Sequence, residues 1–286
     1  MTDMRGKRVL VTGASSGIGF EAARDLARMG ADVVMLVRNE ERGEAARSRI
    51  ATQTGSTRTE LLLSDFADLE SVCSAAAEYV RRYDRLDVLL ANAGAIHAHR
   101  QITEHGNELT FQVNHLAHFL LCSLLEPFLL ASAPSRVVTV SSDSHWAAWR
   151  GMRFGDLTYE RGWNPFAAYA HSKLANIMFC YEHTRRLEGT GVTSTVAHPG
   201  LVRTRFGHEG YGRFGTLIEL LSPVIAATPK QGADTLVWLA SSSEVEGESG
   251  TYFFRRRSHR SSPVSHRVDA QRRLWEISET LTGTGG

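Results

Sequence analysis

Tyr169 and Lys173 stand four residues apart in Tyr169-Ala170-His171-Ser172-Lys173, inside a stretch from about Pro165 to Glu188 whose pattern predicts one long helix. Four residues make about one helical turn, so the two side chains would share a face. That pairing is chemically useful. A free phenol has a pKa of about 10, and bringing it to about 7 requires about 4 kcal/mol of preference for the phenolate. An ammonium held close in a partly dry site supplies much of it. The same pair also fits an ordinary surface helix, so the rest of the chain decides.

A proton-transfer pair needs a scaffold, and the start of the chain reads as one. Lys7-Arg8-Val9-Leu10-Val11-Thr12 has the character of a short buried strand, followed at once by Gly13-Ala14-Ser15-Ser16-Gly17-Ile18-Gly19 and a helical pattern from Phe20 to Met29. Strand, glycine-rich turn and helix start make an anion site, because free backbone N–H groups and the helix dipole converge there. Glycines let a pyrophosphate approach the backbone. Asp32 to Val37 predicts a second strand ending at Arg38, 19 residues past Gly19. An arginine at that point can pair with the 2′-phosphate of NADP, where an acidic residue would favour NAD. Arg38 is also compatible with an ordinary strand end.

The alternation continues. Glu40 to Thr52 reads as a helix, Thr57 to Leu63 as a strand, Asp68 to Tyr83 as a helix and Leu86 to Ala91 as a strand ending at Asn92-Ala93-Gly94. Repeated strand and helix predict a parallel sheet covered on both faces. Asp65 would bond an adenine amine or cap the helix near Asp68. Ile102 to Ala131 holds one or two helices, with Asn114 within the most apolar run, Leu109 to Leu125. A buried asparagine there must be bonded. Ser135 to Val140 predicts a fifth strand ending at Ser141-Ser142, and Gly191 to Ala197 a sixth, stopped by His198-Pro199-Gly200. Between Ser142 and Tyr169 lie Trp146, Trp149, Phe154, Tyr159, Trp163 and Phe166, which would wall an apolar pocket, pack on the sheet or meet a partner. Arg205 to Ala227 reads as a flap over the site or as a membrane-touching element. Thr228-Pro229 opens another helix, Thr251 to Phe254 predicts a last strand, and the seven arginines from Arg255 to Arg273 read as a solvated basic face, with a docking patch as the alternative.

Composition narrows the function classes. With 286 residues the chain can bury a sizeable core. Its 32 Lys+Arg balance 31 Asp+Glu, which argues against nucleic acid as the partner. Cys73, Cys122 and Cys180 are scattered and odd in number, suggesting neither disulfides nor zinc, and a cytoplasmic location fits. His115 and His118 would share a helix face, yet no third metal ligand is evident. His97 and His99 fall in a loop beside the site. The start of the chain suggests neither a signal peptide nor an anchor, and the run from Leu109 is too short and polar for an integral membrane segment.

Gly13-x-x-x-Gly17-x-Gly19, Asn92-Ala93-Gly94, Asn114, Ser142, Tyr169-x-x-x-Lys173 and Pro199-Gly200 together resemble the signature set of the short-chain dehydrogenase/reductase family, from about Lys7 to Gly283. Val113-Asn114-His115-Leu116-x-His118-Phe119, His171-Ser172-Lys173-Leu174-Ala175-Asn176 and Arg273-Leu274-Trp275-Glu276 resemble its retinol dehydrogenase and WW-domain oxidoreductase branch. The resemblance implies an α/β, single-domain Rossmann-type doubly wound parallel sheet with helices on both faces, spanning 1–286, with a substrate flap at about 203–227. It implies a catalytic set of Asn114, Ser142, Tyr169 and Lys173: Tyr169 as general acid/base, Lys173 lowering its pKa and holding the nicotinamide ribose, Ser142 bonding the substrate oxygen, Asn114 positioning a relay water. Gly13, Ser15, Ser16, Gly17, Ile18, Gly19, Arg38, Asp65, Phe66, Asn92, Ala93, Gly94, Tyr169, Lys173, Pro199, Gly200, Val202 and Thr204 would line the dinucleotide, NADP(H) in preference to NAD(H).

Two departures stand out. Ala91 replaces the first asparagine of the commoner Asn-Asn-Ala-Gly, and Asp143-Ser144-His145 replaces small apolar residues. The expected function is an NADP(H)-dependent oxidoreductase interconverting an alcohol and a carbonyl of an apolar or aromatic small molecule. A dinucleotide-binding regulator without turnover and a ketoreductase of a biosynthetic route are the alternatives. Association into a homodimer or homotetramer through the Asn114 and Tyr169 helices is implied by the resemblance.

Overall fold

Eight strands form one sheet in the order β3-β2-β1-β4-β5-β6-β7-β8. They are β1 (Arg8–Thr12), β2 (Asp32–Val37), β3 (Thr59–Leu63), β4 (Val88–Ala91), β5 (Ser135–Val140), β6 (Val192–Ala197), β7 (Tyr252–Phe254) and β8 (Arg257–Ser258). The computed structural model describes residues 2–200 and 227–285. All neighbouring pairs are parallel except the short β7–β8 pair. The chain runs outward from β1 to β3, then returns to place β4 on the other side of β1. That reversal makes the carboxyl ends of β1 and β4 a topological switch point, where open α/β sheets bind ligands.

Alternation along the strands splits the core into two layers. Val9, Val11, Val33, Met35, Val88, Leu90, Val138 and Val140 face α1 (Gly17–Arg28), α2 (Glu40–Thr54) and α6 (Pro229–Ser241). Leu10, Val34, Leu36, Leu89 and Val137 face α3 (Leu69–Arg82), α4 (Leu109–Ala131) and α5 (Pro165–Arg186). Both faces of the sheet are thus dry, as near-continuous apolar strands require.

Ile102 to Ala131 resolves into a single helix, α4. Ile102 instead bridges Glu108 across a tight loop, and Glu108 caps the helix by accepting the Phe111 N–H at 2.8 Å. Gln112–Leu116 is a π-helical turn with Asn114 at its centre, a distortion frequent at functional positions. Helix α4 is long and apolar enough to cross a membrane, but most of it is buried in the core.

All seven arginines of the basic tail, Arg255 to Arg273, are exposed, as a solvated face requires, but the segment that carries them also packs inward. Ser261, Ser262, Val264 and Ser265 are buried, and helix α7 (Val268–Thr282) follows. Leu274, Trp275 and Ser278 face inward. The Trp275 ring stacks on Phe179 at 5.6 Å and meets Phe119 edge-on at 4.9 Å. Exposed arginines cover this layer, with the guanidinium of Arg186 over the Trp275 ring at 4.3 Å and that of Arg273 over the Phe154 ring at 4.7 Å. The flap expected at about 203–227 falls almost wholly outside the described residues, as do Val202 and Thr204.

Trp275 clasps α7 to α4 and α5, so Trp275→Ala should lower the unfolding free energy by about 3–5 kcal/mol in chemical denaturation. A change below about 1 kcal/mol would show that α7 is not part of the cooperative fold.

Candidate functional site

The turn after β1 is shaped by close approach. Gly13 and Gly17 have φ of +67° and +57°, values that favour glycine. A Cβ on Gly19 would lie 2.4 Å from the Gly13 carbonyl oxygen and 2.5 Å from Asn92 Nδ2. Ser16 occupies the N-cap of α1 without a capping side-chain bond. Ser15 is half-buried, Ile18 buried, and Arg38 exposed at the end of β2. Asp65 Oδ1 accepts the Ala67 N–H at 3.0 Å, whereas Asp68 caps α3 through the Glu70 N–H. Helix capping therefore falls to Asp68, and Asp65 stabilises its own turn. Phe66 is buried beside them.

The Asn92-Ala93-Gly94-Ala95 turn is held at both ends. Thr12 Oγ1 accepts the N–H groups of Asn92 at 2.9 Å and Ala93 at 2.8 Å, and Asn92 Nδ2 donates to the Thr12 carbonyl at 2.8 Å. Asn114 clamps the far end: its Oδ1 accepts the Ala95 N–H at 2.7 Å and its Nδ2 donates to the Ala95 carbonyl at 2.9 Å. The buried asparagine of the apolar helix is thereby satisfied. Its Nδ2 also donates to Ser172 Oγ at 2.9 Å, and Ser172 donates onward to the Tyr169 carbonyl at 2.7 Å.

Lys173 is 2% exposed. Its Nζ donates to the Val140 carbonyl at 3.2 Å, shared with Asn176 Nδ2 at 3.0 Å, and lies 5.5 Å from the centre of the Tyr169 ring. A Cβ on Gly94 would meet Lys173 Nζ at 3.3 Å and Asn114 Oδ1 at 3.2 Å. The ammonium thus sits between the Gly94 turn, the end of β5 and Tyr169. Burial pulls its pKa down to about 8. Ser141 is buried and donates to the Lys173 carbonyl at 2.7 Å. Ser142 is half-buried, and its Oγ accepts only a 3.2 Å contact from the Ser144 N–H among the bonds described. Of the two serines, Ser142 has the hydroxyl proton left to donate.

Sequence reasoning missed the groups that brace this edge. Tyr252 donates to Asp143 Oδ1 at 2.9 Å. Asp143 Oδ2 lies 3.1 Å from His198 Nε2, a contact that is not a hydrogen bond among the described residues. His198 is stacked between Tyr252 and Phe254, and its Nδ1 accepts the Gly200 N–H at 3.0 Å. Burial holds its pKa down to about 4. His145 receives the Ser262 N–H on Nε2 at 3.0 Å and donates from Nδ1 to the Ser142 carbonyl at 2.7 Å. The only signal for this cluster was the polar Asp143-Ser144-His145 run.

Other expected residues scatter. Trp146, Trp149 and Phe166 are 46%, 66% and 54% exposed, so they do not pack on the sheet, while Tyr159 is buried. Trp163 donates to Glu108 at 3.3 Å. His97 contacts Thr110, and His99 is exposed. His115 and His118 do not share a face: His115 meets Ser278 and Asn176, and His118 meets Thr12. The α4 and α5 surface proposed for subunit association carries Trp275 of α7, so association there would have to include α7. A cavity of about 810 Å³ lies at the opposite sheet edge, around Lys7, Asp87 and Arg136, away from these groups.

The buried lysine sets a stability prediction. Its folded pKa is below the ordinary 10.5, so the folded state binds fewer protons between about pH 8 and 10.5, and stability rises with pH there. Lys173→Met should raise the unfolding free energy of the ligand-free protein at pH 7 by up to about 3 kcal/mol, a gain that shrinks as pH rises through that window. A destabilised Met variant at pH 7 would contradict the assignment of an uncompensated buried charge.

Comparison with known proteins agrees with this geometry. The short chain dehydrogenase family profile matches residues 7–154. Retinol dehydrogenase 14 of Homo sapiens is 42% identical, covering 98% of this chain and 87% of its own length. WW domain-containing oxidoreductase of Homo sapiens is 39% identical over 98% of this chain and 69% of its own. A short chain dehydrogenase from Shigella flexneri 2a, solved in complex with NADP, superposes with a TM-score of 0.67 at 27% identity, covering 87% of this chain and 97% of that one. The chain belongs to the short-chain dehydrogenase/reductase family, beside the retinol dehydrogenases, and is an oxidoreductase of CH–OH groups.

Proposed function

We propose that the protein is an NADP(H)-dependent oxidoreductase that interconverts an alcohol and a carbonyl of an apolar or aromatic substrate, with Tyr169 as general acid/base. The observation that carries this reading is the buried Lys173 ammonium, set against the Tyr169 ring and the Gly94 turn. A phenol beside a desolvated cation can hold or release a proton near neutrality.

The residues present fit a dinucleotide. The turn carries no side chains at Gly13, Gly17 and Gly19, where positive φ or close approach to Asn92 and Ala93 requires glycine, so it would offer main-chain N–H groups to a pyrophosphate, and the N-cap of α1 has no side-chain cap competing for them. Ser15, Ser16, Ile18 and Arg38 would hold the adenosine and phosphate half; Asn92, Ala93, Gly94, Lys173, Pro199 and Gly200 the nicotinamide half. Val202 and Thr204 belong to the same proposal. When bound, the coenzyme supplies or accepts hydride. The chain supplies the rest: Tyr169 gives its proton to the substrate oxygen or takes it back, Ser142 donates a hydrogen bond to that oxygen, and Lys173 favours the phenolate. Asn114 fixes the turn against which Lys173 rests.

Arg38, exposed at the end of β2 and free of an ion pair among the described residues, supports NADP(H) through its fit to a 2′-phosphate. The exposed Trp146, Trp149 and Phe166 support an apolar substrate.

Steady-state assays over a panel of apolar alcohols, aldehydes and ketones test both parts. Tyr169→Phe should lower kcat by about 10²–10⁴ while leaving coenzyme affinity near normal; normal turnover in that variant would remove Tyr169 from the chemistry. Wild-type protein should favour NADPH over NADH, and Arg38→Asp should reverse that preference. A wild-type preference for NADH would overturn the role of Arg38.

A further inference from the structure

We infer that His118 is a positioning residue, closing a ring of hydrogen bonds that fixes the Asn92–Ala95 turn relative to Asn114 and so holds Lys173 in place. The inference rests on the reading of that turn as part of a dinucleotide site. Leu10 and Thr12 point to the same side of the sheet, toward α4, so Thr12 enters an apolar layer that must satisfy its hydroxyl. His118 lies opposite. Its Nε2 is 2.9 Å from Thr12 Oγ1 and its Nδ1 is 3.2 Å from the Asn114 carbonyl oxygen.

The protons in this ring can be assigned from chemistry. A carbonyl only accepts, so Nδ1 carries the imidazole proton, and the bare Nε2 must itself accept. Thr12 therefore gives its single hydroxyl proton to Nε2, the closer alternative to the Leu90 carbonyl at 3.4 Å. Its oxygen still receives the Asn92 and Ala93 N–H groups. Asn114 completes the circuit by clamping Ala95. Every donor and acceptor in the circuit is used, provided the imidazole is neutral. Burial, reinforced by the nearby Lys173 charge, pushes its pKa down to about 3 and keeps it so, and Phe66 stands edge-on against the ring at 4.9 Å.

Two elements hold the turn, β1 at its start and α4 at its end, and the imidazole is the brace between them. Slack in that brace reaches the chemistry, because Gly94 lies directly against Asn114 Oδ1 and Lys173 Nζ. Neither His115 nor any other described histidine bridges the same two elements.

The test separates the two ends of the brace. In glutamine the side-chain carbonyl reaches the Nε2 position and can accept from Thr12; in asparagine the amide reaches the Nδ1 position and can donate to the Asn114 carbonyl. His118→Phe, His118→Gln, His118→Asn, Thr12→Val and the Thr12→Val/His118→Phe double variant are compared by calorimetric NADPH and NADP+ binding, kcat and thermal stability. His118→Phe should weaken coenzyme binding and lower kcat by about tenfold each. Glutamine and asparagine, each keeping one end of the brace, should recover part of the loss. The double variant should be no worse than the single ones, because both break one ring. Folded His118→Phe with unchanged binding and kcat, equal behaviour of Gln, Asn and Phe, or additive losses in the double variant would overturn the inference. If His118→Phe fails to fold, Thr12→Val with unchanged binding and kcat does the same. Wild-type protein that binds neither NADPH nor NADP+ would instead refute the functional reading beneath it.

Discussion

A lysine ammonium buried in the protein without a neighbouring carboxylate among the described residues is the constraint around which this site is built. Among the bonds described, Lys173 Nζ donates to the main-chain carbonyl of Val140, which also accepts Asn176. Such a charge is unfavourable in the folded state, and its depressed pKa expresses that cost. Proteins retain groups of this kind where function needs them. The surroundings are correspondingly rigid: Ser141 is committed to the Lys173 carbonyl, Ser172 links Asn114 to Tyr169, and Asn114 clamps Ala95.

The sheet explains why these residues meet. Gly13, Asn92, Ser142 and His198 each follow a parallel strand at its carboxyl end, and the strand order reverses beside β1. Residues distant in sequence arrive at one edge because parallel strands all end on the same side. Helix α5 then crosses that edge with Tyr169 and Lys173 one turn apart. The edge is braced from outside by the Asp143, His198 and Tyr252 group and by the bond from Ser262 to His145. Both braces reach toward the segment that leads into α7, so the last part of the chain is coupled to the loop that carries Ser142.

Much of this was legible in the sequence. Period and turn chemistry located β2 and β5 to the residue and most other elements to within a few, because buried parallel strands are continuous apolar runs and glycines mark their ends. The signature residues could be named because their types and spacing carry chemistry. The bracing was not legible. Thr12 meets His118 across 106 positions, and Tyr252 meets Asp143 across 109; local pattern holds no information about such pairs. His115 and His118 misled for a different reason. Spacing of three suggests one face, but the π-helical turn at Gln112–Leu116 changes the angular step, and the rings point to α7 and β1. Helix α7 was masked by the exposed arginines in and before it, Arg255 to Arg273, which read as a basic face and hid the inward Leu274, Trp275 and Ser278.

The central claim is that the Lys173 charge favours a phenolate at Tyr169. Ultraviolet titration of phenolate absorbance, taken as the difference between wild-type protein and Tyr169→Phe and repeated in a Lys173→Met background, measures this most directly. The account predicts that the difference signal appears well below the free-tyrosine value of about 10 in the wild-type background and moves up once the lysine is gone. A Tyr169 signal that titrates at the same pH with and without Lys173 would contradict it.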